Sequence, residues 1–126
     1  EKIKTVLSKK KFVRGLYVDL FKDYEDIYLL ANPIYSKNNN WLNIMRINNC
    51  KVESLQKLIK LFILNGINVR PVWRPNHLQK PFKKFQNYRI NNANKLVKSS
   101  ICLPSSSFIT IKEINKIKKI LDKWRK

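Results

Sequence analysis

Three prolines, at Pro71, Pro75 and Pro81, set the firmest limit on what this chain can fold into. Each lacks an amide hydrogen and fixes its own φ, so the stretch GINVRPVWRPNHLQKPF from Gly66 to Phe82 can be neither a helix interior nor a central strand. Its opening, INVRPV, reads as a strand at the edge of a sheet or near its own end, and the remainder reads as a stiff loop outside regular structure. That loop holds the only histidine, His77, close to Arg70, Trp73, Arg74 and Gln79.

On either side the apolar spacing is regular. Ile3, Val6, Leu7, Val13, Leu16, Tyr17, Leu20, Phe21 and Tyr24 recur every three to four residues, which predicts a long helix over residues 1–24. Such a helix reaches about 30 Å, more than a domain of this size needs, so part of its stripe is expected to cover something other than this core. IYLLANP (Ile27–Pro33) and WLNIMRI (Trp41–Ile47) read as an antiparallel strand pair around the turn SKNNN. Val52–Gly66 reads as a helix burying Leu55, Leu58, Ile59 and Phe62, with Gly66 at a left-handed C-cap. Arg89–Ser100 suggests a modest helix and Ile101–Pro104 a short buried strand. Thr110 and Glu113 form a capping box before the stripe Ile111, Ile114, Ile117, Leu121 and Trp124, with lysines opposite and Trp124 as a packing residue. The fold class predicted is α/β of the α+β two-layer kind: a small antiparallel or mixed sheet packed against helices, in a single domain spanning 1–126.

Composition narrows the functions. An apolar share of 44% argues against disorder. The 27 cations against 8 anions give a net charge of +19, a field that attracts nucleic acid, anionic membrane or phosphorylated small molecules. The abundance of lysine, asparagine and isoleucine also resembles the drift of an AT-rich genome, which weakens that inference. Two glycines exclude a glycine-rich phosphate cradle, and no G-x-S-x-G, P-loop or H-E-x-x-H is present. Cys50 and Cys102 make no CxxC pair, so they are expected to be buried, reduced thiols of a cytoplasmic protein, with no metal site. No apolar run is long enough to span a bilayer, and no membrane partner is expected. The first residue is Glu1, which reads as a cut inside a longer chain.

Among side chains that could carry chemistry, His77 is the one of the type suited to proton exchange near neutral pH, though a packing or surface role fits it as well. Arg70 and Arg74 could grip phosphate or carboxylate through paired hydrogen bonds, or be solvated. Trp41 and Trp73 could stack on a base or sugar, although tryptophan more often serves the core. KPFKKF (Lys80–Phe85) interleaves cations and aromatics as single-strand nucleic-acid binders do.

The run NGINVRPVWRPNHLQKPF resembles a segment near the C-terminus of the DegT/DnrJ/EryC1/StrS aminotransferases. Their GI-x-x-R-P-x-W-x-P-x-H-x-Q pattern is matched by Gly66, Ile67, Arg70, Pro71, Trp73, Pro75, His77 and Gln79. KKKFVRGLYVDLF is similar to the helix carrying their K-R-x-x-x-x-x-Y-x-x-x-L pattern, NNNWLNIM to their tyrosine-tryptophan-leucine strand, and ICLPSSSFITIKEINKIKKIL to their closing L-P-S strand and helix. Asn40 stands where the family carries an aromatic before Trp41.

The resemblance covers only the family's small C-terminal domain, as in fold-type I pyridoxal-phosphate (PLP) enzymes; nothing here resembles the large PLP-binding domain. It implies a parent enzyme that moves an amino group from an amino acid, glutamate being the expected donor, to a keto sugar nucleotide for bacterial surface polysaccharide or glycan synthesis. PLP and a homodimer are implied for that parent, and this chain alone is expected to bind no PLP and be inactive. By the same resemblance His77 is the first substrate contact, with Arg70, Trp73 and Gln79 behind it, and none acts as a catalytic acid or base. The alternative is a small basic nucleic-acid-binding module, the one case in which nucleic acid would be a partner.

Overall fold

The first stripe of apolar residues folds as helix α1 (Lys2–Phe21). The computed structural model describes residues 2–125, so position 1 of the expected helix lies outside the described residues, and the helix ends before Tyr24. Its second half buries Val13, Tyr17, Leu20 and Phe21. Its first half does not: Ile3 is 70% exposed, and Val6 and Leu7 are also exposed. The expected surplus of apolar surface is thus located on the first three turns.

Strand β1 (Ile27–Leu29) pairs antiparallel with β2 (Asn43–Ile47), Ile27 facing Ile47 and Leu29 facing Met45. Both are shorter than the expected strands. The Leu30 amide still donates to Ile44 O at 2.9 Å, but Pro33 has no amide to give. At the far end Asn40 turns to φ 52°, which keeps Trp41 and Leu42 out of the ladder. A short asparagine side chain tolerates that left-handed geometry far better than the usual aromatic would.

Helix α2 (Val52–Leu64) buries Leu55, Leu58 and Phe62 and stops at Gly66, φ 71°. The Gly66 amide donates to Ile63 O at 2.9 Å and the Ile67 amide to Phe62 O at 2.9 Å, the paired bonds of a Schellman end. After it Ile67 and Val69 point inward while Asn68 and Arg70 point out, and β3 (Arg70–Pro71) follows. The chain then makes two one-turn 3₁₀ helices, Asn76–Leu78 and Lys80–Phe82, where an irregular loop is expected. Helix α3 (Asn91–Ser99) runs directly into β4 (Ser100–Leu103), and α4 (Ile111–Arg125) closes the fold. Its capping box is formed: the Thr110 amide donates to Glu113 Oε2 at 2.7 Å and the Glu113 amide to Thr110 Oγ1 at 3.4 Å.

The sheet order is β1-β2-β4-β3, every pair antiparallel, with the proline-bearing strand at one edge. Register puts Ile27, Met45, Ile47, Ile101 and Leu103 on one face, and they form one core with Val13 and Tyr17 of α1, Leu58 and Phe62 of α2, and Ile117 and Leu121 of α4. Trp124 packs against its margin. Full burial of side chains of this size stabilises by about 1.5–3 kcal/mol each, so these residues dominate the fold's stability. The opposite face carries Ile44, Cys102 and Arg70 in one cross-strand row. Cys102 is buried as expected, but Cys50 is only half-buried, because it sits in the turn before α2 rather than on an inward strand position.

Candidate functional site

Arg70 owes its position to alternation. Because Ile67 and Val69 enter the core, Asn68 and Arg70 face outward along the sheet edge, and Arg70 pairs across the ladder with Cys102. There the outer face opens into a cleft of about 380 Å³ lined by Arg70, Trp73, Trp41, Asn68, Cys102 and Ser105 with their neighbours. Two tryptophans form its wall. Their ring centroids are 6.3 Å apart with planes inclined by 38°, and both are largely exposed, Trp41 at 65% and Trp73 at 62%. The core role usual for tryptophan is therefore not the one they take; at that spacing nothing fits between the rings, and together they offer a continuous apolar surface.

Several bonds hold the wall and floor. Trp41 follows a run of asparagines that brace one another: Asn38 Oδ1 accepts from the Asn40 amide at 2.6 Å and Asn39 Oδ1 from the Trp41 amide at 3.0 Å. Lys10 of α1 donates to Trp41 O at 3.4 Å and also to Ser105 O. Tyr17 donates to Pro104 O at 2.8 Å, and Ser105 Oγ accepts from the Asn43 amide at 2.8 Å while donating to Leu103 O at 3.0 Å. The L-P-S segment is thereby pinned from α1 and β2. Burial pushes the Cys102 thiol above its ordinary value, so the floor carries a neutral thiol, not a nucleophilic thiolate.

The four residues singled out from the sequence do not converge. Arg70 and Trp73 share the cleft. His77 lies in the first 3₁₀ turn, its Nε2 3.1 Å from Asn94 Oδ1 of α3, and lines a separate hollow of about 370 Å³ with Asn76, Phe82 and Phe85. Gln79 is engaged inside the loop, its Nε2 donating to Arg74 O at 2.8 Å and to Asn76 Oδ1 at 3.2 Å. Trp41, not among those four, is the residue that completes the cleft wall; its signal in the sequence is a tryptophan directly after an asparagine-rich turn.

The chemistry this arrangement supports is binding. A guanidinium on a stiff edge strand can take an anion through two parallel bonds, and the indole wall can take the apolar face of a ring. Neither cleft nor hollow is lined by a carboxylate, and among the described residues no group of three His, Cys, Asp or Glu side chains could hold a metal. PLP does not fit the residues that line the cleft, which offer no lysine to bond its aldehyde and no acid for its ring nitrogen.

A family model described as the DegT/DnrJ/EryC1/StrS aminotransferase family matches residues 1–122. This chain belongs to the DegT/DnrJ/EryC1/StrS aminotransferase family. Solved structures share its fold. PseC of Helicobacter pylori, an aminotransferase involved in the biosynthesis of pseudoaminic acid, matches with TM-score 0.82 at 16% identity, over 96% of this chain and 33% of its own. The apo form of the putative sugar aminotransferase Spr1654 from Streptococcus pneumoniae matches with TM-score 0.84 at 19% identity, over 98% and 31%. A GDP-4-keto-6-deoxy-D-mannose-3-dehydratase of E. coli, with bound hydrated PLP, matches with TM-score 0.75 at 18% identity, over 92% and 31%. The DegT/DnrJ/EryC1/StrS chain described here therefore spans about a third of the length of these relatives in fold, and no helix among its described residues is long and apolar enough to cross a membrane.

Proposed function

We propose that this chain serves as the small C-terminal domain of a cytoplasmic, homodimeric, PLP-dependent aminotransferase that moves an amino group from an amino acid, glutamate first among donors, to a keto sugar nucleotide used in bacterial surface polysaccharide or glycan synthesis. The observation that carries this reading is the family match over residues 1–122, with the Arg70–Trp73–Trp41 cleft as the part of this chain fitted to such a substrate. PLP and the groups that hold it come from the rest of the protein in this reading, and PLP is what supplies the amino-transfer chemistry. The work of this chain is to bind and orient: Arg70 takes phosphate oxygens, Trp73 the apolar face of a ring, and His77 reaches substrate through the nitrogen not turned to Asn94. Gln79 holds the loop that presents them. Binding energy gathered far from the reacting carbonyl then orients it.

Support for the nucleic-acid alternative is thinner, since it rests on net charge and on the short KPFKKF run alone, whereas the family match spans residues 1–122. In the intact enzyme, Arg70→Ala and His77→Ala are each expected to lower kcat/KM for the sugar nucleotide by about tenfold or more, as loss of a substrate hydrogen bond does. Unchanged kcat/KM in both variants would remove the loop from substrate binding.

A further inference from the structure

The face shared by α2 and α4 carries charge that nothing else in the fold uses. Lys112, Lys116, Lys119 and Lys123 recur at spacings of four, three and four residues, which places them in one stripe about 16 Å long on the exposed side of α4. None takes part in the ion pairs of the described residues, which join Lys22 to Asp19, Lys118 to Asp23 and Arg125 to Asp26. The two acids of α4 are engaged elsewhere, Glu113 in the Thr110 cap and Asp122 as acceptor from Tyr24. Helix α2 packs against α4, and a Cβ at Gly66, just past the end of α2, would lie 3.8 Å from Lys116 Nζ. The last turn of α2 therefore sits beside the lysine stripe, and it leaves Ile63 56% and Leu64 83% exposed, with Lys57 and Lys60 exposed behind them. The one acid of α2, Glu53, is at its opposite end.

We propose that this face docks on an anionic phospholipid surface, with the lysines over the headgroups and Ile63 and Leu64 entering the interface. Charge complementarity selects the occupant, and the residue types refine it. Lysine is a compact, hydrated point charge suited to a diffuse layer of headgroups, and exposed aliphatic side chains beside it add apolar insertion. Nucleic acid would be served by arginine forks and aromatic platforms; this face has neither, since Arg125 at its end is held by Asp26. No helix among the described residues is long and apolar enough to cross a bilayer, which says nothing against lying on one.

The test is co-sedimentation of the intact protein with vesicles of phosphatidylcholine alone and with phosphatidylglycerol mixed in. Partitioning is expected only into the anionic vesicles and falls steeply with salt. Changing Lys112, Lys116, Lys119 and Lys123 together to Gln is expected to lower it by at least about tenfold, and the uncharged change Leu64→Ser to lower it with the salt slope unchanged. A control with the same charge loss elsewhere, Lys4, Lys11, Lys80 and Lys83 to Gln, is expected to partition like the wild type. Equal losses in the two quadruple variants would reduce the effect to net charge and overturn the proposal. So would partitioning into neutral vesicles, or no partitioning at low salt alongside retention on duplex DNA at physiological salt.

Discussion

At Gly66 the backbone stands at φ 71°, and a Cβ there would meet only the flexible end of Lys116 at 3.8 Å. Space is therefore not the obstacle to a side chain; conformation is. Gly66→Ala is expected to destabilise by about 1–2 kcal/mol, the left-handed penalty of an ordinary residue, read as a lower urea midpoint at unchanged m-value. This residue was legible in sequence because a glycine ending an apolar stripe has few other uses. Trp41 and Trp73 were not, since composition makes a tryptophan a core residue by default and only the tertiary arrangement reveals that each exposes more than half its surface. His77 and Arg70 could not be told apart from sequence either: 3₁₀ turns follow β3, and they aim side chains seven positions apart into different hollows.

Among the elements, α1 does two things along its length. Its second half supplies Tyr17, fully buried, whose hydroxyl donates to Pro104 O and so ties the helix to the segment flooring the cleft. Burial, with the Glu113 charge adding to it, raises the Tyr17 phenol well above its usual 10.0. The folded protein therefore holds that proton more tightly than the unfolded chain does. The stability this contributes is complete below about pH 10 and is lost as pH climbs beyond it, at up to about 1.4 kcal/mol per pH unit. Urea midpoints are expected to fall between about pH 10 and 11, and Tyr17→Phe, which has no proton to lose, to show a shallower fall; equal slopes would contradict the assignment. Strand ends were less legible than helix stripes. β1 stops at Leu29 and β2 starts at Asn43 because of Pro33 and the left-handed Asn40, features that act through single backbone groups and leave the apolar pattern untouched.

For the whole molecule, alternation and stripe spacing were enough to anticipate four helices around a small sheet, a proline strand confined to an edge or a strand end, and the capping box of α4, because each follows from local pattern. The cleft was not, since it joins Trp41, Arg70 and Ser105 through the pairing of β2 and β3 with the same central strand β4. Contacts between residues this far apart in sequence leave no periodic trace. The family match covers residues 1–122, and the amino transfer proposed for the intact protein would take its chemistry from PLP held outside this chain. The most direct measurement is a pair of single-turnover absorbance titrations of that intact protein, one with glutamate and one, on the aminated form, with a keto sugar nucleotide, in wild type and in Trp73→Ala. The expected result is that both half-reactions proceed in wild type, and that Trp73→Ala needs about tenfold more sugar nucleotide while its glutamate half-reaction is unchanged. A wild-type protein that glutamate aminates but no keto sugar nucleotide reoxidises, or a variant impaired equally in both halves, would contradict the account.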